Sequence, residues 1–347
     1  MGKETKHSGT AHGKIILIGE HSVVHFKPAI ALPLMSTEIR AEVSGNGSSA
    51  DDPRFAVDCE YFTGSLVDAP GNLGNLQKLV TTLFNSLCVP QGCGGFDIKI
   101  ISSIPRERGM GSSAAVAIAV IRAVADYAGV VLGSQEVFDY AQISENIAHE
   151  NASGLDTIAT ASNQAVWFER GETAEAFDCE CPGTLIVADS GVKGGTREAV
   201  AAVRSMLYSR ERGKAREAAQ QIDRLGELAY ACLQALRKGD TANLGFIMDE
   251  AHEILTGLTV SDRKLDTLVA AARKAGAIGA KLTGGGRGGC MIALVADDLR
   301  SGAPAAVKSV ESALKAAGAV NTWRLPLHTG PDMDAARVVT VKQERVD

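Results

Sequence analysis

The eleven residues PRERGMGSSAA, at 105–115, lie between two segments of opposite periodicity. The preceding FDIKIISSI alternates apolar and polar residues and predicts a strand, whereas the following AVAIAVIRAVADYAG predicts a helix that ends at Gly129. The first backbone N–H groups of a helix have no partner within it, and the helix dipole adds positive potential there. A glycine turn leading from a strand into a helix therefore predicts a site for a phosphate group.

Other interpretations of this loop are open. Gly109, Gly111 and Ala114 also fit the dinucleotide pattern GxGxxG/A, but that fold needs a second strand ending in an acidic residue about twenty residues later. A second helix is predicted here instead, and the GxxxxGK[ST] pattern is absent from the sequence. The loop is also compatible with an ordinary strand-to-helix turn in which Ser112 or Ser113 is the N-cap.

Composition indicates a globular protein. A chain of 347 residues with 45% hydrophobic content can bury a large core and is long enough for two domains. The net charge is −6 without a Lys/Arg-rich stripe, so we expect no nucleic-acid partner. Apolar runs are too short to span a membrane and no signal-peptide core is evident, so we expect a cytoplasmic protein without a membrane partner. The seven cysteines lack the paired spacing of a zinc site, and we expect reduced thiols.

The order of predicted elements favours an α+β fold, because strands and helices are grouped rather than regularly alternating. The N-terminal part is predicted to contain strands at 14–19, 28–34, 37–44, 96–104 and 164–169, helices at 75–87, 115–128 and 134–151, and a short helix after Ser153 and Gly154. No ordered element is predicted around 171–183. The C-terminal part is predicted to contain a strand at 184–191, helices between Thr196 and Gly276, two strands around a glycine loop at 280–296, a helix at 304–318 and a strand at 323–328.

Two further motifs carry functional information. In GKIILIGEHSVVHFKPAIALP, at 13–33, Lys14 opens a strand and Glu20 and His21 follow its end. By itself this turn is typical of a solvated, charged surface. In KLTGGGRGGC, at 281–290, the glycines exceed what a tight hairpin needs, which indicates a close approach of the backbone to another group.

Taken in this order, the three motifs resemble the signature motifs of the GHMP kinase superfamily, and the resemblance spans nearly the whole chain. The first motif is most similar to that of the mevalonate kinase family, in which GEH is followed by VV and a later AxALP-type stretch. The resemblance implies a two-domain fold, with an N-terminal domain like ribosomal protein S5 domain 2 and a ferredoxin-like C-terminal domain. We expect the ATP-binding domain at 1–183, with its phosphate loop at 105–115, and the second domain at 184–347, with its glycine loop at 281–290.

The resemblance also implies which residues bind ATP and Mg²⁺. Phosphoryl transfer requires a phosphate cradle, a magnesium site and positive charge near the transferred group. The expected metal ligands are Ser113 and Glu145, the latter in the segment ISENIAHENASGLD. The structural alternative for Glu145 is an ion pair with His149, one helical turn later. The expected ATP-binding residues are Pro105, Gly109, Met110, Gly111, Ser112, Ser113 and Ala114.

The expected catalytic residues are Asp156, as the carboxylate that receives or orients the hydroxyl proton, and Lys14. The lysine would lower the pKa of the substrate hydroxyl and offset the charge of the moving phosphoryl group. A structural alternative for Asp156 is a capping box with Ser153. The expected substrate-binding residues are Lys14, Glu20, His21, Asp156, Thr196, Thr283 and Gly284.

The sequence departs from the family pattern in its charged loops. Arg106, Glu107 and Arg108 occupy a loop that usually carries few charges, Met110 replaces a leucine, and Arg287 stands where a small residue is common. Solvated charges are the favoured interpretation of these arginines, with contacts to ATP phosphates as the alternative.

The function implied is transfer of the ATP γ-phosphoryl group to mevalonate, with ATP and Mg²⁺ as cofactors. One alternative changes the acceptor to phosphomevalonate, homoserine or a sugar. Another is a non-catalytic nucleotide-binding sensor on the same fold. The helices between Thr196 and Gly276 are a candidate face for a homodimer.

Overall fold

The computed structural model describes residues 6–148, 153–296 and 303–327. Its elements up to residue 177 are, in chain order, β1 (His7–Ile18), β2 (Ala29–Gly45), β3 (Phe55–Cys59), β4 (Phe62–Ser65), α1 (Gly74–Leu83), β5 (Phe96–Ser102), α2 (Ser112–Ala128), α3 (Ser134–Ala148), α4 (Leu155–Ala161), β6 (Ala165–Phe168) and β7 (Glu175–Phe177). These strands form one sheet in the order β4-β3-β5-β2-β6-β7, with β1 paired to β2. The β3–β5 pair is parallel, and the other pairs are antiparallel.

The remaining elements build a second, antiparallel sheet and its helices. They are β8 (Gly183–Asp189), α5 (Thr196–Leu207), α6 (Arg212–Lys238), α7 (Thr241–Gly257), α8 (Arg263–Lys274), β9 (Gly279–Thr283), β10 (Cys290–Ala296), α9 (Ala303–Ala316) and β11 (Asn321–Pro326). The strand order is β11-β8-β10-β9. The α+β prediction is therefore confirmed, and so are the predicted helices after Thr196 and the strand pair around the glycine loop.

One long strand, β2, replaces two predicted ones. Its register with β1 shifts between His12 and Gly13, and residues 35–37 bulge out of the ladder. The Thr37 hydroxyl accepts a hydrogen bond from the Gly13 N–H at 3.0 Å and donates one to the Leu34 carbonyl at 2.8 Å. Because this side chain satisfies the backbone groups that the bulge leaves unpaired, the strand continues through a segment that sequence alone divides.

Other local predictions also need correction. Strands β3 and β4 were not predicted, and β7 lies in 171–183, where no element was expected. All three are short and at or near a sheet edge, so pairing rather than a local periodic pattern defines them. Helix α1 ends at Leu83 and passes into a π-turn at Phe84–Cys88. The predicted end of α3 at Asn151 and of the last strand at His328 lie outside the described residues.

The packing places the ends of several elements together. Helix α2 packs across β1 and β2 and buries Ile118, Ile121 and Val124 against them. In the second unit α7 and α8 pack on β9, and β9 in turn contacts β1. The start of α2, the strand β1 and the glycine loop after β9 are consequently neighbours, although 105–115 and 281–290 are far apart in sequence.

The described helices include none that is long and apolar enough to cross a membrane. All seven cysteines carry free thiols.

Candidate active site

A buried lysine and a carboxylate at a helix start form the centre of the candidate site. Lys14, on β1, is only 2% exposed, and its Nζ lies 2.8 Å from Oδ1 of Asp156, in the first turn of α4. The Asp156 side chain is 42% exposed, so one face of this ion pair is open to solvent. Gly154, at φ +86°, is the N-cap of α4, so Asp156 follows the cap by two residues rather than three. The predicted capping box with Ser153 as cap is therefore wrong, and the carboxylate faces Lys14.

The phosphate loop is fixed to the same lysine. The Lys14 N–H donates a hydrogen bond to the Met110 carbonyl at 3.0 Å, while the Met110 side chain is buried in the core. At Gly111, with φ +72°, a Cβ atom would lie only 3.0 Å from Cγ of Lys14 and 2.9 Å from Cγ2 of Thr160. Only glycine fits this conformation and this spacing, so the turn lies directly against the catalytic candidate Lys14.

Helix α2 starts without a side-chain cap. Its N-cap is Gly111, and Ser112 and Ser113 are the first two helical residues, so the interpretation of either serine as the N-cap is wrong. Gly111 has no side chain that could accept a cap hydrogen bond, which leaves the N–H groups of the first turn for another acceptor. A helix of 17 residues with this start provides the geometry expected for an anion.

Ser113 also has a carboxylate partner. Its hydroxyl donates a hydrogen bond to Oε1 of Glu145 at 2.7 Å, and Glu145, on α3, is buried. His149, the structural alternative as a partner of Glu145, lies outside the described residues. A hydroxyl and a carboxylate oxygen at the start of α2 are a donor set suited to a hard cation.

The glycine loop after β9 closes over the phosphate loop. A Cβ atom on Gly284 would lie 3.3 Å from Cα of Gly109, so the two backbones are in contact. A Cβ atom on Gly285 would lie 2.0 Å from Oγ1 of Thr196, which starts α5. The excess of glycine in this loop thus serves close contacts with two other segments of the chain, in agreement with the close approach predicted from the sequence.

Glu20 and His21 enter the site from the end of β1. His21 is buried, and burial lowers the pKa of its imidazole to about 4, so it is neutral at pH 7. Since its Nε2 lies 3.0 Å from the Gly285 carbonyl, which only accepts, Nε2 carries the proton. Glu20 forms a fully buried ion pair with Lys281 of β9.

Thr283 has a connecting role. Its hydroxyl donates a hydrogen bond to the Ile16 carbonyl at 2.8 Å and accepts one from the Ile16 N–H at 3.0 Å. This side chain joins β9 to β1 next to Lys14. Thr196, by contrast, is exposed beside the loop.

The favoured interpretation of the loop arginines as solvated charges is wrong for Arg108, whereas Arg106 is exposed as expected. Arg108 Nε lies 2.8 Å from Oδ1 of Asp189, at the end of β8, and the two side chains are only 16% and 4% exposed. Arg106 stacks 3.8 Å from the ring centroid of Tyr61. Arg287 donates hydrogen bonds to the carbonyl and hydroxyl of Thr259. Each of these guanidinium groups has a partner within the protein.

Lys281 and Asp189 were missed by sequence reasoning. Lys281 begins the motif KLTGGGRGGC and Asp189 lies in the strand predicted at 184–191, so the signal available was a charged residue in an otherwise apolar strand. Altogether, the arrangement offers an anion site at a helix start, a hydroxyl–carboxylate pair for a cation, and a lysine–aspartate pair beside them. These parts are suited to a phosphoryl transfer.

Comparisons with known proteins agree with this geometry. Residues 76–164 match the family described as GHMP kinases N terminal domain, and residues 232–319 match GHMP kinases C terminal. The chain is 33% identical to a mevalonate kinase of Pyrococcus horikoshii, in an alignment covering 96% of this chain and 98% of that protein.

Solved structures give the same result. The fold is similar to that of L. major mevalonate kinase in complex with R-mevalonate, with a TM-score of 0.76, 26% identity, and coverage of 95% of this chain and 98% of that one. It is also similar to mevalonate kinase from methicillin-resistant Staphylococcus aureus, with a TM-score of 0.67, 31% identity, and coverage of 93% and 99%. The predicted two-domain fold of this superfamily is confirmed.

Proposed function

The chain belongs to the GHMP kinase family and, within it, to the mevalonate kinases, and from this premise we propose that it transfers the γ-phosphoryl group of ATP to the 5-hydroxyl of mevalonate. The observation that carries the proposal is the Lys14–Asp156 pair, at 2.8 Å beside the phosphate loop. Such a pair supplies both a proton acceptor for a hydroxyl and a positive charge at the reacting oxygen.

ATP is held by its phosphates in this proposal. The uncapped N–H groups at the start of α2 bind the phosphate oxygens, with Ser112, Ser113 and Ala114 as the first helical residues. Gly109 and Gly111, both at positive φ, shape the turn, and Pro105 and Met110 complete it. Contact with Gly284 closes the loop from the other side.

Mg²⁺ fits the pair formed by Ser113 and Glu145. Their oxygens lie 2.7 Å apart at the start of α2, and a magnesium ion typically combines one or two such protein ligands with phosphate oxygens and water. When bound, the ion would neutralise charge on the phosphates of ATP. Ser113 and Glu145 would hold the ion, directly or through water.

The chemical step is an in-line displacement. The 5-hydroxyl oxygen forms a bond to the γ-phosphorus while the bond to the β,γ-bridging oxygen breaks, and ADP leaves with that electron pair. The hydroxyl proton passes to the Asp156 carboxylate, whose exposed side faces the space in front of the loop. The Lys14 ammonium, held within β1, offsets the charge that develops on the transferred group.

We propose that Glu20, His21 and Thr196 bind the acceptor substrate, and that Thr283 and Gly284 form one wall of its binding site. The Glu20 carboxyl group is paired with Lys281, and His21 is a neutral imidazole whose Nε2 proton is already donated to the Gly285 carbonyl. Neither is suited to binding the carboxylate of mevalonate, so their partners are its hydroxyl groups. Thr196, exposed at the start of α5, offers a hydroxyl donor.

The direct test is ADP release with ATP and Mg²⁺ against mevalonate, phosphomevalonate, homoserine and galactose. Turnover restricted to mevalonate is the expected result. Turnover of another acceptor would show that the protein is a kinase with a different substrate. No turnover with any acceptor, although ATP binds, would favour a nucleotide sensor.

A domain boundary at 183/184, a homodimer and a cytoplasmic location remain predictions. The first sheet takes its strands from residues up to 177 and the second from 183 onward, which supports a boundary in this region, between 177 and 183. Light scattering measures the mass of the particle and thereby tests the dimer.

A further inference from the structure

The pair formed by Glu20 and Lys281 connects the two sheets at the acceptor side of the site. Glu20 follows β1, Lys281 is on β9, and both side chains are fully buried. The Lys281 ammonium contacts Oε1 of Glu20 and also donates a hydrogen bond to the Leu282 carbonyl at 2.7 Å. The lysine is thereby held in one orientation by two acceptors, and it fixes one oxygen of the carboxylate.

The other carboxylate oxygen has no such partner. Oε2 of Glu20 is buried, and among the residues that the structure describes it has no hydrogen-bond partner. An unpaired carboxylate oxygen away from water is costly unless a ligand supplies a donor. Glu20 follows β1, the strand that carries Lys14, and the charge of Lys14 acts weakly on its carboxyl, so Glu20 lies near the catalytic pair.

The charge state of Glu20 depends on its lysine neighbours. Burial raises the pKa of the Glu20 carboxyl, while the charges of Lys281 and, more weakly, Lys14 lower it. Burial correspondingly lowers the pKa of Lys281, and Glu20 opposes that shift. Two further titratable groups interact with Lys281: the thiol of Cys232 on α6, whose pKa burial raises well above its usual value, and the imidazole of His252 on α7, whose pKa burial lowers to about 4. With Lys281 removed, the carboxyl loses the neighbour that most strongly lowers its pKa, so its protonated, uncharged form is favoured up to a higher pH.

We propose that Lys281 is a positioning residue of the acceptor site: it holds Glu20 as a carboxylate with Oε1 occupied, so that Oε2 accepts a hydrogen bond from the second hydroxyl of the acceptor, the one that is not phosphorylated. This inference rests on the proposed function and deepens it. The ligand group is an uncharged hydroxyl donor, because a carboxylate or phosphate would be repelled at Oε2.

The first experiment measures kcat/KM for mevalonate between pH 5.5 and 9 in the wild type and in Lys281→Met and Lys281→Arg. In Lys281→Met we expect kcat/KM to fall about 10- to 100-fold at pH 7, the range for a hydrogen bond to a charged group, and to recover as the pH rises and Glu20 loses its proton. In the wild type kcat/KM does not rise with pH in this way, and Lys281→Arg is expected to retain most of the wild-type activity. The KM for ATP is expected to change less than about twofold in either variant. Lys274→Met, at an exposed position on α8, is the matched control.

The second experiment compares mevalonate with its 3-deoxy analogue, 5-hydroxy-3-methylpentanoate. The wild type is expected to prefer mevalonate by about 10- to 100-fold in kcat/KM. The double variant Glu20→Gln/Lys281→Met is expected to lose most of this preference. Because it leaves no unpaired buried charge, it tests the proposal even where the single variant does not fold.

A full preference in the double variant, or a parallel pH profile in Lys281→Met and the wild type, would overturn the proposal. Failure of the proposed function has a different signature, because the wild type then fails to phosphorylate mevalonate. If it phosphorylates phosphomevalonate or galactose, the same variants are compared with that acceptor and with an analogue that lacks a hydroxyl that is not phosphorylated, and the same two outcomes decide. Turnover of homoserine alone, which has no second hydroxyl, would overturn the proposal.

Discussion

The ammonium of Lys14 lies 2.8 Å from the carboxylate of Asp156, although the lysine is buried inside β1 and the aspartate lies half-exposed at the start of α4. A buried cation needs a compensating anion, and here the anion is also the group best placed to receive a proton. One contact therefore stabilises Lys14 in the core and orients Asp156 toward the open side of the site.

The first prediction concerns this pair. Asp156→Asn and Lys14→Met are each expected to lower kcat by about 100- to 10,000-fold, because each removes a group that acts in the transition state. ATP binding, followed by calorimetry, should change little, since the phosphate loop is formed by backbone groups. Lys6→Met, which removes an exposed lysine paired with Glu42, serves as the control and should retain full turnover. A nearly normal kcat in either site variant contradicts the assignment.

A second prediction addresses the magnesium site. Glu145→Gln and Ser113→Ala should raise the Mg²⁺ concentration needed for half-maximal activity at fixed ATP, since each weakens an oxygen ligand at the start of α2. We expect a shift of about tenfold or more for Glu145→Gln, because outer-shell and ligand changes at metal sites commonly have this size. Glu217→Gln, on the exposed face of α6, is the matched control. An unchanged Mg²⁺ requirement in both variants would remove these residues from the metal site.

The third prediction uses the contact between the phosphate loop and β8. In Arg108→Ala the buried carboxylate of Asp189 loses its guanidinium partner and retains the Gly191 N–H, 2.8 Å away. Breaking a buried ion pair by removing one partner costs about 3 kcal/mol, so denaturant unfolding should show a loss of that order. Arg106→Ala removes only a stacking contact with Tyr61 and should cost about 1 kcal/mol or less. Equal losses in the two variants would show that Asp189 does not depend on Arg108.

The fourth prediction is a loss of stability in mild acid. Burial lowers the pKa values of His21 and His252 to about 4, whereas an unfolded chain protonates histidine near pH 6.5. The unfolded state thus binds more protons between these values, and the free energy of unfolding falls as the pH decreases from about 6.5 to about 4. The limiting loss is about 3 kcal/mol for each imidazole.

The contribution of His252 can be tested separately. Its Nδ1 accepts a hydrogen bond from the N–H of Leu282, the residue between Lys281 and Thr283, at 3.3 Å. His252→Asn retains an acceptor but no titration, so its unfolding free energy should depend less on pH than that of the wild type. His7→Asn, at the paired and more exposed His7, is the control and should follow the wild type. Identical pH dependence in His252→Asn and the wild type would exclude this source of acid sensitivity.

Local sequence patterns determined much of the fold. The apolar period of α2, the glycines at its start and the strand before it are properties of neighbouring residues, so they were predictable without the structure. The same holds for the helices between Thr196 and Gly276 and for the glycine loop at 281–290. The first motif contained Lys14 and Glu20 as candidates, and the family resemblance implied Asp156, although nothing local distinguished Asp156 from a capping residue.

Tertiary structure alone decided which charges meet. Glu20 and Lys281 are 261 residues apart, and Arg108 reaches Asp189 across the two sheets, so no periodicity in the chain contains these pairs. The bulge that keeps β2 continuous likewise depends on Thr37 bonding to Gly13 of β1. The physical reason is that a helix or turn forms from adjacent residues, whereas the pairing of buried charges is set by the packing of β1, β8 and β9 against one another.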